Sequence, residues 1–289
     1  MADQEQSIFE RYYSNEPFVD RYLTEPEAGT DVVIPVIHSN ELWEANLKSI
    51  YREIPVHRML IADGGCVDDT VEVVKRFPRV TVFDHRDIKS LGYSERLLIE
   101  AVETEWFAHL HSDVFLPDGW FDIMRKYQDR YDWYGCTERG TIMVEYERDF
   151  GERPWAGGQL ARKSALTEGL KVVEDDYIYR HGDFVYRLMI EQGGFKEGRV
   201  TETFHYHQTM HRPSKWFRKV KSVDVKVEMN PEEELRTWIM ELKGTVKYLN
   251  PSIPWAVQEV QGSMLQLLDM RGMTFAGIRS YVAAPNPVG

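Results

Sequence analysis

Along the first half of this chain, short β-branched runs alternate with apolar positions at helical spacing. DVVIPVI (31–37) is an apolar run interrupted by a proline, the pattern of a buried strand. ELWEANLKSIYRE (41–53) spaces Leu42, Ala45, Leu47 and Ile50 roughly helically. The alternation then repeats. HRMLIADGG (57–65) predicts a strand ending in Asp63, and DDTVEVVKRF (68–77) a helix opened by acidic residues that suit its N-terminal dipole. VTVFDH (80–85), LGYSERLLIEAVET (91–104) and WFAHLHSDVFLP (106–117) predict a third strand, a third helix and a fourth strand. Such βαβ units indicate an α/β fold with a mostly parallel, Rossmann-like central sheet and helices on both faces.

Beyond residue 140 the alternation loosens. WAGGQLARKSAL (155–166), a helix around DFVYRLMIEQGG (183–194) and the His-rich TETFHYHQTMHRP (201–213) follow. These patterns divide the chain into a helical N-terminal extension (1–30), a catalytic domain (31–212) and a mainly helical C-terminal extension (213–289). Internal repeats and low-complexity tracts are absent from the sequence.

Composition narrows the function classes. With 289 residues, 43% of them hydrophobic, the chain can bury a large core. A formal charge of −12 argues against non-specific nucleic-acid binding. Cys66 and Cys136 cannot build a disulfide framework, which fits a reducing cytoplasm. No signal-peptide pattern opens the sequence, and no apolar run reaches the roughly 18 residues of a spanning helix. KWFRKVKSV (215–223) is basic and aromatic. Its plainer reading is a snorkelling face or an oligomer contact, and its sharper one a peripheral contact with an anionic membrane.

Open parallel sheets bind ligands outside the carboxyl ends of their strands, and Asp63 and Asp113 are both expected there. Asp113 at such an end can hold a hard divalent cation, or simply cap a turn in SDVFLPDGW. Asp63, beside two glycines, can accept from a base or ribose, or close a strand-to-helix turn. His205, His207 and His211 crowd into seven residues. In extended backbone His205 and His207 share a side, and either can join Asp113 as a metal ligand. Asp183 opens an apolar helix and can serve as a general base, or only as a helix-end charge paired with Arg187. The acidic run Glu174, Asp175 and Asp176 is either solvated or an alternative base.

Taken in order, these segments resemble the family 2 glycosyltransferases and their GT-A relatives, over roughly residues 31–210. VVIPVIHSNE resembles the first strand and base-holding loop, which implies nucleotide contacts from Pro35, Val36 and His38. LIADGGCVDDT resembles the second-strand segment and implies that Asp63 binds the base. LGYSERLLIEAVETEWFAHLHSD resembles the stretch leading into the D-x-D metal motif, matching Gly92, Arg96, Ser112 and Asp113. WAGGQLARKSAL is similar to the segment near donor sugar and acceptor, through Gly157 and Gly158. DFVYRLMIEQGG resembles the helix that carries the acidic catalytic motif.

Two departures stand out. His111 occupies the first position of the metal motif, leaving Asp113 as the main ligand there. The resemblance then implies a C-terminal histidine completing the set, with His207 preferred and His205 as the alternative. Arg180-His181-Gly182-Asp183 stands where the family reads acid-Asp-x-Asp. Asp183, or His181 in its place, is therefore the expected base. The resemblance implies a hexosyltransferase-type reaction: a UDP- or GDP-sugar, Mn²⁺ or Mg²⁺, an acceptor hydroxyl on a saccharide, small molecule or lipid carrier, and inversion at the anomeric carbon. A catalytically inactive sugar-nucleotide-binding scaffold and a sugar nucleotidyltransferase are the alternatives. HSNELWE lacks the Gly-rich, basic phosphate loop of the latter. The expected location is cytoplasmic, with a peripheral membrane contact or a homo-oligomer as further options.

Overall fold

The computed structural model describes residues 17–36, 39, 42–66, 68–85, 91–139, 157–170, 187–188, 190–207, 251–254, 256–258, 260–261 and 264. Among these residues, eight strands form one sheet: β1 (Thr30–Val36), β2 (Val56–Asp63), β3 (Val80–Asp84), β4 (Trp106–Leu110), β5 (Val114–Phe115), β6 (Trp133–Arg139), β7 (Gly158–Arg162) and β8 (Glu197–His207). Their order is β3-β2-β1-β4-β7-β6-β8-β5. The run β3-β2-β1-β4 is parallel throughout, and β6 pairs with β8 in parallel. Strand β7 is antiparallel to both its neighbours, and β5 is antiparallel to β8.

The apolar runs are nearly continuous because both faces of the parallel half are covered. Val32, Ile34, Met59 and Ile61 pack on one face with Leu47 and Ile50 of α1 (Trp43–Glu53). Val33, Leu60, Ala62 and Phe107 pack on the other with Leu98 and Ile99 of α3 (Leu91–Ala101) and Ala165 and Leu166 of α5 (Lys163–Leu170). Ala256 and Val260, from the expected C-terminal extension, reach this second core. Two further helices are short, α2 (Thr70–Val74) and α4 (Trp120–Met124), the latter running on into a 3₁₀ turn at Arg125–Tyr127.

Two expectations need correction. The segment 106–117 is two strands, because the chain turns at His111–Asp113 and β5 leaves to pair with β8, Val114 opposite His207. The helix expected over 68–77 closes at Val74, and Arg76 and Phe77 donate to carbonyls three residues back, just before Pro78. The described part of the N-terminal extension, from residue 17 on, forms two 3₁₀ turns, Arg21–Leu23 and Pro26–Ala28. Ion pairs hold it down: Arg21 reaches Asp122 at 2.6 Å, and Arg79 reaches Asp20 at 2.7 Å. No described helix is long and apolar enough to cross a membrane.

Candidate metal and nucleotide-sugar site

Strand β1 is flanked by β2 and β4, so the winding of the sheet reverses there and opens a crevice at the carboxyl ends of these strands. Asp63 ends β2, and the His111–Asp113 turn follows β4. With two strand spacings between them, their backbones stand roughly 10 Å apart across that crevice.

The turn after β4 is fastened from several sides. His111 N donates to the Gly157 carbonyl at 2.9 Å, and the buried Asn46 of α1 donates from Nδ2 to the Ser112 carbonyl at 2.9 Å. One and two helical turns on, Ser49 Oγ accepts from Leu116 N, and Glu53 Oε2 accepts from Trp120 N. Asn46, Ser49 and Glu53 thus form a buried polar stripe, spaced i, i+3 and i+7, that clamps 112–120 to the sheet.

Strand β8 then delivers His207 to this turn. His207 Nε2 lies 3.2 Å from Asp113 Oδ1 and 3.3 Å from His111 Nδ1. One ligand atom from each of these three residues lies within 4.8 Å of the others. On the far edge of the ring, His207 Nδ1 is 3.4 Å from Glu138 Oε2. Burial opposes protonation of His207, but Asp113 and Glu138 outweigh it and raise the imidazole to about 10. Burial, with His207 next to it, lowers His111 to about 4.

His205 does not join this group. It shares a face with His207, as expected of extended backbone, but sits one rung below, fully buried, its ring centroid 6.2 Å from that of His207. Its Nδ1 lies 3.2 Å from Cys136 Sγ, and its ring packs against Gly157 and Gly158. A Cβ on Gly158 would stand 2.8 Å from His205 Nδ1, and Gly157 has φ +118°. Both glycines therefore make room for histidine packing next to the site. Burial holds the His205 imidazole well below its usual value.

Asp63 is 1% exposed, and its Oδ1 accepts from Gly65 N at 3.0 Å and Cys66 N at 2.7 Å. The turn-closing alternative for this residue is thus present in the fold. Val36 lies opposite Asp63, and Pro35 opposite Ala62. Arg96, half-buried on α3, pairs with Glu100 Oε1 at 3.0 Å. The preceding residue, Glu95, turns inward to His109 Nε2 at 3.5 Å, and His109 Nδ1 is 3.2 Å from Gln159 Oε1. His38, His181, Asp183, His211 and the 174–176 run lie outside the described residues, as does KWFRKVKSV; of Gly92 only the backbone is described.

Two participants escaped the sequence reading. His111 counted there only as a departure from aspartate, although imidazole is itself a ligand type. Glu138, in CTERG, has no local spacing that links it to His207.

Residues 31–155 match the family described as Glycosyl transferase family 2. That segment, a little under half of the chain, carries a glycosyltransferase family 2 domain, and the fold is of the GT-A type. S. aureus TarS 1–349 in complex with UDP-GlcNAc superposes with a TM-score of 0.52 and 12% identity, covering 84% of this chain and 71% of that one. TarS 1–349 without ligand gives 0.51 and 11%, covering 88% and 89%. GalNAc-T7 with UDP, GalNAc and Mn²⁺ gives 0.50 and 11%, covering 62% of this chain and 44% of that one. At such identities the likeness speaks for the fold alone. No curated protein sequence matches the chain significantly.

Proposed function

We propose that this protein is a glycosyltransferase that moves a sugar from a UDP- or GDP-sugar to an acceptor hydroxyl, with a divalent cation held by His111, Asp113 and His207. One observation carries the reading: three ligand atoms from two distant segments converge within 4.8 Å at the mouth of the strand-end crevice. The donor chemistry fits a metal. Two imidazole nitrogens and one carboxylate oxygen suit a first-row transition ion such as Mn²⁺ better than Mg²⁺, which prefers an all-oxygen shell. When bound, the cation neutralises the donor diphosphate and stabilises it as leaving group. The Mn²⁺ and UDP of GalNAc-T7 and the UDP-GlcNAc of TarS support a donor of this class.

The chain's own residues divide the remaining work. By resemblance, Asp63, with Pro35, Val36 and His38, holds the nucleotide, with Arg96 nearby. Ser112 keeps its carbonyl on Asn46 and so presents Asp113 toward the crevice. The segment of Gly157 and Gly158 lies, by resemblance, near the donor sugar. By resemblance, Asp183 or His181 takes the acceptor proton in a single displacement that inverts the anomeric carbon.

A thermal-shift panel of UDP- and GDP-sugars, with and without Mn²⁺, followed by an assay for released nucleoside diphosphate, tests this reading. Stabilisation by one nucleotide sugar that requires Mn²⁺, with slow diphosphate release, is expected. Stabilisation without release under any acceptor would point to a binding protein. The absence of any Mn²⁺-dependent stabilisation would overturn the metal assignment.

A further inference from the structure

Strands β6 and β8 run side by side in parallel, and residues two apart on each share a face. The shared face carries Cys136 and Glu138 on β6 and His205 and His207 on β8. They meet as two rungs: Cys136 Sγ against His205 Nδ1 at 3.2 Å, and Glu138 Oε2 against His207 Nδ1 at 3.4 Å. In both rungs the β6 side chain takes the Nδ1 edge of the ring. In the upper rung this leaves Nε2 directed at Asp113 and His111.

We propose that Glu138 is the positioning residue of the metal site: its carboxylate holds His207 by Nδ1 and so commits Nε2 to the ion. This rests on the reading that His111, Asp113 and His207 bind a divalent cation. The two imidazole nitrogens point away from one another, so Glu138 stands behind the ring and outside the set of converging ligand atoms. A carboxylate only 1% exposed is costly unless a donor or cation repays it, and His207 is the partner it faces. The 3.4 Å separation is longer than a formed charge-assisted hydrogen bond. A small rotation of the ring toward Glu138, as the ion draws on Nε2, closes it. Metal-bound histidines commonly donate their second N–H to a carboxylate in this manner, which fixes tautomer and ring orientation.

The test compares the wild-type protein with Glu138→Gln, Glu138→Leu and Asp113→Asn. Mn²⁺ dissociation constants come from EPR of the free ion, and the His207 tautomer from ¹⁵N NMR of the Zn²⁺-loaded protein. Glu138→Leu is expected to weaken Mn²⁺ binding about 10–100-fold and to lose the single Nδ1–H tautomer. Glu138→Gln, whose amide oxygen still accepts from Nδ1–H, is expected to recover most of the affinity. Asp113→Asn reports the ligand set itself. If wild type binds Mn²⁺ through Asp113 while both Glu138 variants bind equally well with an unchanged tautomer, the positioning role is overturned and the metal site stands. If wild type binds no Mn²⁺, the site reading falls and the positioning role falls with it. Should Glu138→Leu fail to fold by circular dichroism, Glu138→Met, which keeps the length of the side chain but removes the oxygen acceptor, decides in its place: weakened Mn²⁺ binding with a mixed tautomer population supports the role, and wild-type values in both overturn it.

Discussion

His111 Nδ1 and His207 Nε2 face one another at 3.3 Å although 96 positions separate them in the chain, and Asp113 Oδ1 stands 3.2 Å from the same His207 nitrogen. Such convergence of acceptors is favourable when a cation or proton sits among them. Ligand removal should therefore be severe. Asp113→Ala and His207→Ala are each expected to lower metal-dependent turnover by more than about 100-fold, beyond the loss typical of an outer-shell partner. His111→Ala should lower it as well. Steady-state rates at saturating Mn²⁺ check this, and full activity of Asp113→Ala would remove Asp113 from the site.

Loading the site should stabilise the fold by mass action. At Mn²⁺ about 100 times its dissociation constant the gain is about 2.7 kcal/mol, which for a chain of this size raises Tm by about 4–5 °C. Mg²⁺ at the same concentration should raise it less, because imidazole is a poor ligand for it. Calorimetry after EDTA treatment and readdition of each ion measures both shifts. Equal shifts would contradict the ligand chemistry assigned here.

The metal-free protein should carry a distinctive pH profile. His207 titrates near 10 in the fold against an ordinary 6.5, so its contribution is complete below about 6.5 and is lost as pH rises toward 10. His111 titrates near 4, so the unfolded chain takes up its proton first, and stability falls as pH drops from 6.5 toward 4. Together the two histidines place the optimum of the metal-free protein near pH 6.5. Asp113→Asn removes the carboxylate that most raises His207 and should flatten the alkaline limb. Tm of EDTA-treated wild type and Asp113→Asn, measured from pH 4 to 10.5, checks the slope. An alkaline limb unchanged by the substitution would sink the pairing.

The parallel half of the sheet was legible because burial on both faces writes itself as continuous β-branched runs. Val32, Val33 and Ile34 need no partner to be read as a strand. Asp63 and Asp113 followed from strand ends alone. The antiparallel half was not readable in this way. Whether β6 pairs with β8, and in which direction, depends on contacts some 60 residues apart that leave no local period. The polar stripe of α1 was hidden for another reason: Asn46, Ser49 and Glu53 look like the solvent side of an amphipathic helix until the 112–120 segment is laid across them. The two 3₁₀ turns near the N-terminus are held by Arg21 and Arg79, whose partners lie far along the chain.

Gly158 should tolerate no side chain. Its absent Cβ would meet His205 Nδ1 at 2.8 Å and Cγ at 3.0 Å, atoms of a buried ring that is itself backed by Cys136. Gly158→Ala is expected to cost about 1–3 kcal/mol as an overpacked core position. A double variant, Gly158→Ala with His205→Ala, should recover part of that loss by vacating the space. Chemical denaturation of both measures it, and a fully stable single variant would show that the His205 ring moves freely.

Asn46 offers a test of how the α1 clamp shapes the site from a distance. Its Nδ2 donates to the Ser112 carbonyl at 2.9 Å, while the helix around it is secured by Leu47 and Ile50 in the core. Asn46→Leu keeps the helix and its volume but leaves the Ser112 carbonyl without this donor, a loss of about 1–3 kcal/mol. The larger effect should fall on Asp113, the next residue, whose carboxylate is aimed by that turn. Mn²⁺ affinity is therefore expected to weaken more than stability alone implies, and the weakening should persist at temperatures well below the lowered Tm. Asn46→Asp is the informative companion, because it replaces the donor with a charge facing a carbonyl and should be worse than leucine. If both variants bind Mn²⁺ as tightly as wild type, the turn holds Asp113 without help from α1, and the stripe serves packing only.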